Sequence, residues 1–298
     1  MNHTPHTAYK ASLKSLETEN YIDLYFFRPI GFVIAKLLNK TKITPNMITI
    51  LSIFVGAAVG PLFYFNTLPY KLLGILCLVI ANILDCVDGQ LARMAGVTSK
   101  IGRILDGVAG NIWFTLIYIF LALRLKNQFD TWLFFIPAVL SGFSHFVQAN
   151  ITDYYKTLHL FFVDKDKGNE FQNLREVRAQ YAGMDFGIQK VLFFIYLGYT
   201  ALQEKSTPRL QQMLRHFKNR YGEHIPNDIC LDFRRQSSLL MKSLIDFLTF
   251  NGRLIFLVAA VLSDYVWAYF VFEIVFLNLV LLFSIQIHEK ICTKFIER

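Results

Sequence analysis

The 298-residue sequence predicts an all-α polytopic membrane protein: six transmembrane helices, an N-terminal interfacial helix and an inserted cytoplasmic or interfacial helical segment. Two observations carry this expectation. The chain is 54% hydrophobic, with 29 Phe, 14 Tyr and a mean hydropathy of +0.39, which is too apolar for an ordinary soluble domain. Several apolar runs also approach the roughly 20 residues that cross about 30 Å of hydrocarbon. A soluble core of unusually apolar helices is the alternative, and runs of this length disfavour it.

In chain order, residues 1–46 form an N-terminal cytoplasmic or interfacial segment. Its start, MNHTPHTAYKASLKSLETEN, is polar and unlike a cleavable signal. YIDLYFFRPIGFVIAKLLNK follows, mixing aromatic and aliphatic residues with Arg28 and Lys36 as an interfacial helix would. Residues 47–298 form a six-helix membrane domain, with spans predicted at about 47–67, 70–92, 101–123, 131–155, 244–263 and 266–286. The last two make a hairpin through Ser263, Asp264 and Tyr265. Residues 157–243 are the inserted helical segment, in which Leu210, Met213, Leu214, Phe217 and Tyr221 recur at helical spacing among Arg209, Arg215, Lys218 and Arg220. That pattern fits a helix lying on headgroups and fits a small cytosolic helical insert equally. KVLFFIYLGYTAL, after Gln189, is short for a span and reads as interfacial or buried.

Charge sets orientation and excludes one class of partner. Lys10, Lys14, Arg28, Lys36, Lys40 and Lys42 precede the first span, Arg93 and Lys100 separate the second from the third, and Lys290, Lys294 and Arg298 follow the sixth. The excess of Lys and Arg predicts that both termini and the turn between spans two and three are cytoplasmic, with Arg124 and Lys126 the exceptions. The net charge of +8 accumulates beside spans and in the insert, so attraction to anionic headgroups explains it without nucleic acid. Cys77, Cys86, Cys230 and Cys292 show neither metal nor redox spacing.

The chemistry concentrates in DCVDGQLARMAGVTSKIGRILDGVAGN, residues 85–111. An Asp within a transmembrane helix costs at least about 2.5–3.5 kcal/mol, so Asp85, Asp88 and Asp106 need partners. At about 100° per residue Asp85, Asp88, Gly89 and Ala92 fall on one helix face, and Gly102 and Asp106 share a face of the next helix. Two such faces joined by a short turn would suit a hard divalent cation. Ion pairs with Arg93 and Arg103 are the structural alternative, and close helix packing is the alternative for Gly102, Gly107 and Gly110. On the fourth span His145, Gln148, Thr152 and Lys156 form a polar stripe. His145 is a candidate proton acceptor, or else a hydrogen-bonded packing residue. Arg253 would hold a phosphate or snorkel to the headgroups. Glu273 and Asn278 are polar residues of the sixth span best explained by packing.

D-x-x-D-G-x-x-A-R, eight residues, then G-x-x-x-D resembles the signature of the CDP-alcohol phosphatidyltransferases, matched by Asp85, Asp88, Gly89, Ala92, Arg93, Gly102 and Asp106. ITPNMIT at the first span is similar to the family's opening, and six helices agree with it. The resemblance implies transfer of a phosphatidyl or related phosphoalcohol group from a CDP-linked lipid to an acceptor alcohol, inositol-type or another polyol, with release of CMP. It implies Asp85, Asp88 and Asp106 as ligands of a divalent cation, Mg or Mn. Arg93 would contact the diphosphate, Gly89, Ala92 and Gly102 would make room for the nucleotide, and Asn46, Thr98 and Ser99 would line the same pocket. Gln148 and Arg253 would serve the acceptor or lipid. The departure is Gly110, which stands where the family has a fourth Asp thought to bind metal and act as base. Asn111 lies about 100° away on the helix and is a poor replacement. Two further readings follow from that departure: a lipid headgroup phosphotransferase using a non-CDP lipid donor, and an inactive metal- or nucleotide-binding scaffold. Whether the chain forms a homodimer is left open.

Overall fold

The computed structural model describes residues 5–97, 100–163, 173–222 and 224–297. Every regular element among them is a helix. Six helices are long and apolar enough to cross a membrane: Pro45–Tyr64, Leu68–Ala95, Gly102–Phe129, Trp132–Val163, Asn227–Leu262 and Val266–Ile296. The protein is therefore an integral, multi-pass membrane protein.

The helices overrun the boundaries that hydropathy drew. The fourth continues to Val163 rather than 155, the sixth to Ile296 rather than 286, and the fifth starts at Asn227 rather than 244. Hydropathy marks the length that faces lipid, whereas a helix persists wherever one face is buried. Asn227–Lys242 shows this, since Phe233, Ser237, Leu240 and Met241 are buried while its mean character is polar. Non-helical torsions at Ser243 (φ −118°, ψ −84°) break the fifth helix where the apolar run begins.

The helices fall into two compact units. The first comprises residues up to Phe146 together with Arg253–Phe276. Its N-terminal helix Arg28–Leu38, with Pro29 in the first turn, buries Gly31 and Ala35 and leaves Val33 and Leu37 exposed. Ala35 packs in one cluster with Ile48 of the first span and Val87 and Leu91 of the second, flanked by Ile34, Ile43 and Ile83. The first span starts at a Thr44 N-cap followed by Pro45, which fixes where Thr49 falls on the helix. Gly56 lies against the Trp113 indole and Gly60 against the Leu116 carbonyl, so small residues bring spans one and three into backbone contact.

At the other end of this unit Arg124 and Lys71 are both buried, and both are held by Asp264 in the hairpin turn. Lys71 Nζ is 2.6 Å from Asp264 Oδ1. Arg124 also donates to Asn66 Oδ1 (2.6 Å) and the Phe63 carbonyl (3.3 Å). Arg124, one of the two cations that ran against the charge asymmetry, thus shares the Asp264 carboxylate with Lys71 inside the protein.

The second unit comprises Val147–Gly252 and Leu277–Arg298. It contains Leu174–Ala182, Ile188–Ser206 and Pro208–Tyr221. An Asn173–Glu176 capping box starts the first of these. In Pro208–Tyr221 the apolar face expected from spacing is turned into protein, with Leu210, Met213 and Phe217 buried and the Phe217 ring 6.3 Å from that of Phe295. Ile188–Ser206 differs, leaving Ile188 and Phe194 exposed, as is Phe186 just before it.

Candidate active site

The second span delivers two of the three aspartates. It ends at Gly96, whose φ of +66° closes the helix in a left-handed turn that a side-chain-bearing residue would strain. Val87 and Leu91 point into the cluster with Ala35 and Ile48, which fixes the rotation of the helix and so the directions of Asp85 and Asp88. Asp88 is 4% exposed and lies beside the Thr49 hydroxyl of the first span. Asp106 enters from the third span, is exposed, and faces Asp85. One carboxylate oxygen from each of Asp85, Asp88 and Asp106 lies within 4.8 Å of the others.

Three carboxylates at that spacing repel one another unless a cation shares them. Asp88 Oδ2 is buried without a hydrogen-bond partner among the described residues, which leaves an unspent oxygen on one of the three clustered carboxylates. An all-oxygen donor set with one buried, unspent oxygen suits a hard divalent ion such as Mg²⁺ or Mn²⁺.

Gly89 is adjacent to Asp88, and a Cβ there would sit 3.4 Å from Arg93 Nη2, so the Arg93 guanidinium lies folded over it. Ala92 and Gly102 are half-buried. Gly107 and Gly110 face open space, with nothing within 4 Å of where a Cβ would stand. The Asn111 amide donates to the Gly107 carbonyl of its own helix at 2.7 Å. Asn46 is exposed in the first turn of the first span. Thr98 and Ser99 lie outside the described residues.

His145 and Arg253 belong to the same unit but sit in a different cluster. Arg253, 2% exposed, donates through Nε to Glu273 Oε1 at 3.2 Å, and Glu273 is fully buried. His145 Nδ1 is 3.8 Å from the same oxygen and 3.3 Å from the Tyr118 hydroxyl, and its ring stacks on Phe114 at 4.5 Å. Glu273 sits in a π-helical turn, Phe272–Phe276, a local widening that often marks a constrained position. This geometry fits the packing alternative for His145 and gives Arg253 a buried partner in place of a snorkelling path. Gln148 lies in the second unit and donates to Asn278 Oδ1 at 2.9 Å, which accounts for both polar residues.

Sequence reasoning missed Thr49, Tyr118 and the grouping of buried His288 and Cys292 with half-buried Glu289. Those last three also bring ligand atoms within 4.8 Å of one another. Their chemistry is already spent, however. Glu289 accepts from the Arg209 and Leu210 N–H groups at the start of Pro208–Tyr221, and Cys292 Sγ is 3.5 Å from His288 Nδ1.

Residues 42–167 match the family model described as CDP-alcohol phosphatidyltransferase. Among curated proteins the chain is similar to a bifunctional IPC transferase and DIPP synthase of Aquifex aeolicus, 28% identical over 53% of this chain and 34% of that protein. It is similar to a ceramide phosphoethanolamine synthase of Drosophila melanogaster, 30% identical over 35% of this chain and 29% of that protein. A CDP-diacylglycerol–glycerol-3-phosphate 3-phosphatidyltransferase of Rickettsia typhi is 35% identical over 24% of this chain and 40% of its own length. The matched stretches thus span well under two thirds of these relatives.

Proposed function

We propose, from the premise that this chain belongs to the CDP-alcohol phosphatidyltransferase family through residues 42–167, that it transfers a phosphatidyl or related phosphoalcohol group from a CDP-linked lipid to an acceptor alcohol. An acceptor hydroxyl attacks the phosphorus on the lipid side of the diphosphate and loses its proton. A new P–O bond forms, the bond to the leaving phosphate breaks, and CMP departs. The observation that carries the reading is the cluster of Asp85, Asp88 and Asp106 on the matched segment. A divalent ion held by these three carboxylates would supply charge stabilisation to the diphosphate and the leaving phosphate. Arg93, folded over Gly89, is the cation of this chain assigned to the diphosphate. The small side chains at 89, 92 and 102 leave the nucleotide room beside the two helices. The acceptor site is assigned to the open volume beside Gly107 and Gly110, and a polyol of the inositol type is the acceptor class proposed. The Lys and Arg asymmetry supports a cytoplasmic location for the active site and both termini.

Gly110, standing where the resemblance leads one to expect a fourth Asp, favours a second reading, movement of a phosphoalcohol headgroup between lipids from a non-CDP donor. The test is incubation of protein in lipid with CDP-diacylglycerol, Mg²⁺ or Mn²⁺ and a panel of alcohols. Acceptor-dependent CMP release supports the first reading. Headgroup exchange between lipids without CMP release supports the second.

A further inference from the structure

Gln90 and Ser12 stand outside the residues assigned a role, yet they make the most fully buried polar contact at the motif. Gln90 is 0% exposed and Ser12 1%. The Gln90 amide donates from Nε2 to Ser12 Oγ at 3.1 Å, and the Ser12 hydroxyl donates to the Tyr9 carbonyl at 2.7 Å. The Gln90 oxygen is pressed onto the N-terminal helix, where a Cβ at Gly31 would come within 2.6 Å of it. One turn further on, Arg93 Nε donates to the Ser12 carbonyl at 2.5 Å. Tyr9 in turn is tied to the Leu24 carbonyl at 2.9 Å, and Arg28 to Glu19 at 3.1 Å. The segment bearing residue 12 is thereby anchored to the helix bearing Gly31.

Resting on the proposed phosphatidyl-transfer reading, we infer that Ser12 and Gln90 are positioning residues that hold the Arg93 guanidinium over Gly89 for the donor diphosphate. An Arg has five N–H donors in a rigid planar fork, so fixing Nε against a carbonyl fixes the direction of both Nη groups. The carbonyl belongs to the backbone and cannot be removed by substitution, but its position is set by the Gln90–Ser12 bond. A Lys at 93 would keep the charge and lose the fork.

Two measurements test this together. The Kd of CDP-diacylglycerol for protein in nanodiscs is expected to rise about fivefold in Gln90→Leu, the loss expected of one buried hydrogen bond. The same substitution placed in Arg93→Ala should add nothing, whereas a merely structural role would give additive effects. The rate at which phenylglyoxal modifies Arg93, read by mass spectrometry without any substrate, should rise several-fold in Gln90→Leu and in a chain lacking residues 1–14. Gln90→Leu is close to isosteric and covers the case in which the truncation fails to fold. An unchanged modification rate, or additivity of Gln90→Leu with Arg93→Ala, overturns the inference. If the parent binds no CDP-diacylglycerol while the modification rate still rises, the tether stands and the proposed donor falls.

Discussion

Removing the Arg253 guanidinium should unfold the protein before it touches catalysis. Arg253 and Glu273 are 2% and 0% exposed and bonded at 3.2 Å, with His145 Nδ1 at 3.8 Å from the same carboxylate oxygen. Arg253→Met keeps much of the side-chain volume and leaves Glu273 buried without its cation. Breaking a buried pair on one side costs about 3–5 kcal/mol, a factor of roughly 10²–10⁴ in the folding equilibrium. For a chain of this size that corresponds to a fall of very roughly 6–20 °C in Tm. Removing both charges with Arg253→Met and Glu273→Leu should recover most of the loss, because no uncompensated charge then remains. Thiol-reactive dye melting of detergent-solubilised variants gives the Tm series, and turnover of the folded fraction gives KM. If Arg253→Met melts like the parent and instead raises KM for the lipid donor, then Arg253 is a substrate ligand and its reading as a buried structural partner is wrong.

Gly110→Asp should insert and fold like the parent, because a side chain there meets open space, and should lower turnover by filling acceptor volume beside Asp106. A rise in CDP-lipid-dependent turnover would show instead that a lost metal ligand had been restored. Cysteine placed at Lys100 should label from the cytoplasmic side and cysteine placed at Ser263 from the opposite side, and reversed labelling would refute the orientation. Asp264 has its pKa held below the ordinary carboxylate value, first by its hydrogen bond from Lys71 and also by the Arg124 charge. A depressed folded pKa gives a stabilisation present above about pH 4 and lost as pH falls through the lower folded value. The Tm gap between the parent and Asp264→Asn should therefore be constant from pH 8 to about pH 5 and close below about pH 4. A gap that persists at pH 3 would show that the contact does not depend on charge.

The six spans were legible because an apolar run of about 20 residues has few other uses. The faces bearing Asp85, Asp88 and Asp106 were legible because helix period alone relates residues three and four apart. Helix ends were not, since Asn227–Lys242 continues as helix on the strength of a buried face that hydropathy averages away. Nor was the partner of Arg253, because periodicity gives the face on which a residue lies and not which distant helix meets it. The Ser12–Arg93 bond spans 81 residues of sequence and uses a backbone carbonyl, for which no residue type is a signal. Gly110 was legible as a small residue one turn beyond Asp106, but helix period could not tell that a Cβ there would meet nothing within 4 Å rather than a packing contact.

The account rests on Asp85, Asp88 and Asp106 acting as one site for a divalent ion and a CDP-linked donor. Its most direct test compares the parent with Asp85→Asn, Asp88→Asn and Asp106→Asn for Mn²⁺ binding by electron paramagnetic resonance and for CMP release from CDP-diacylglycerol in the same nanodiscs. The parent should bind Mn²⁺ and release CMP only with metal and acceptor present. Each variant should remain folded and lose both properties, CMP release falling by at least about 100-fold, the size of effect produced by removing a preorganised transition-state contact. Near-parental CMP release and Mn²⁺ binding in all three Asn variants would contradict the account.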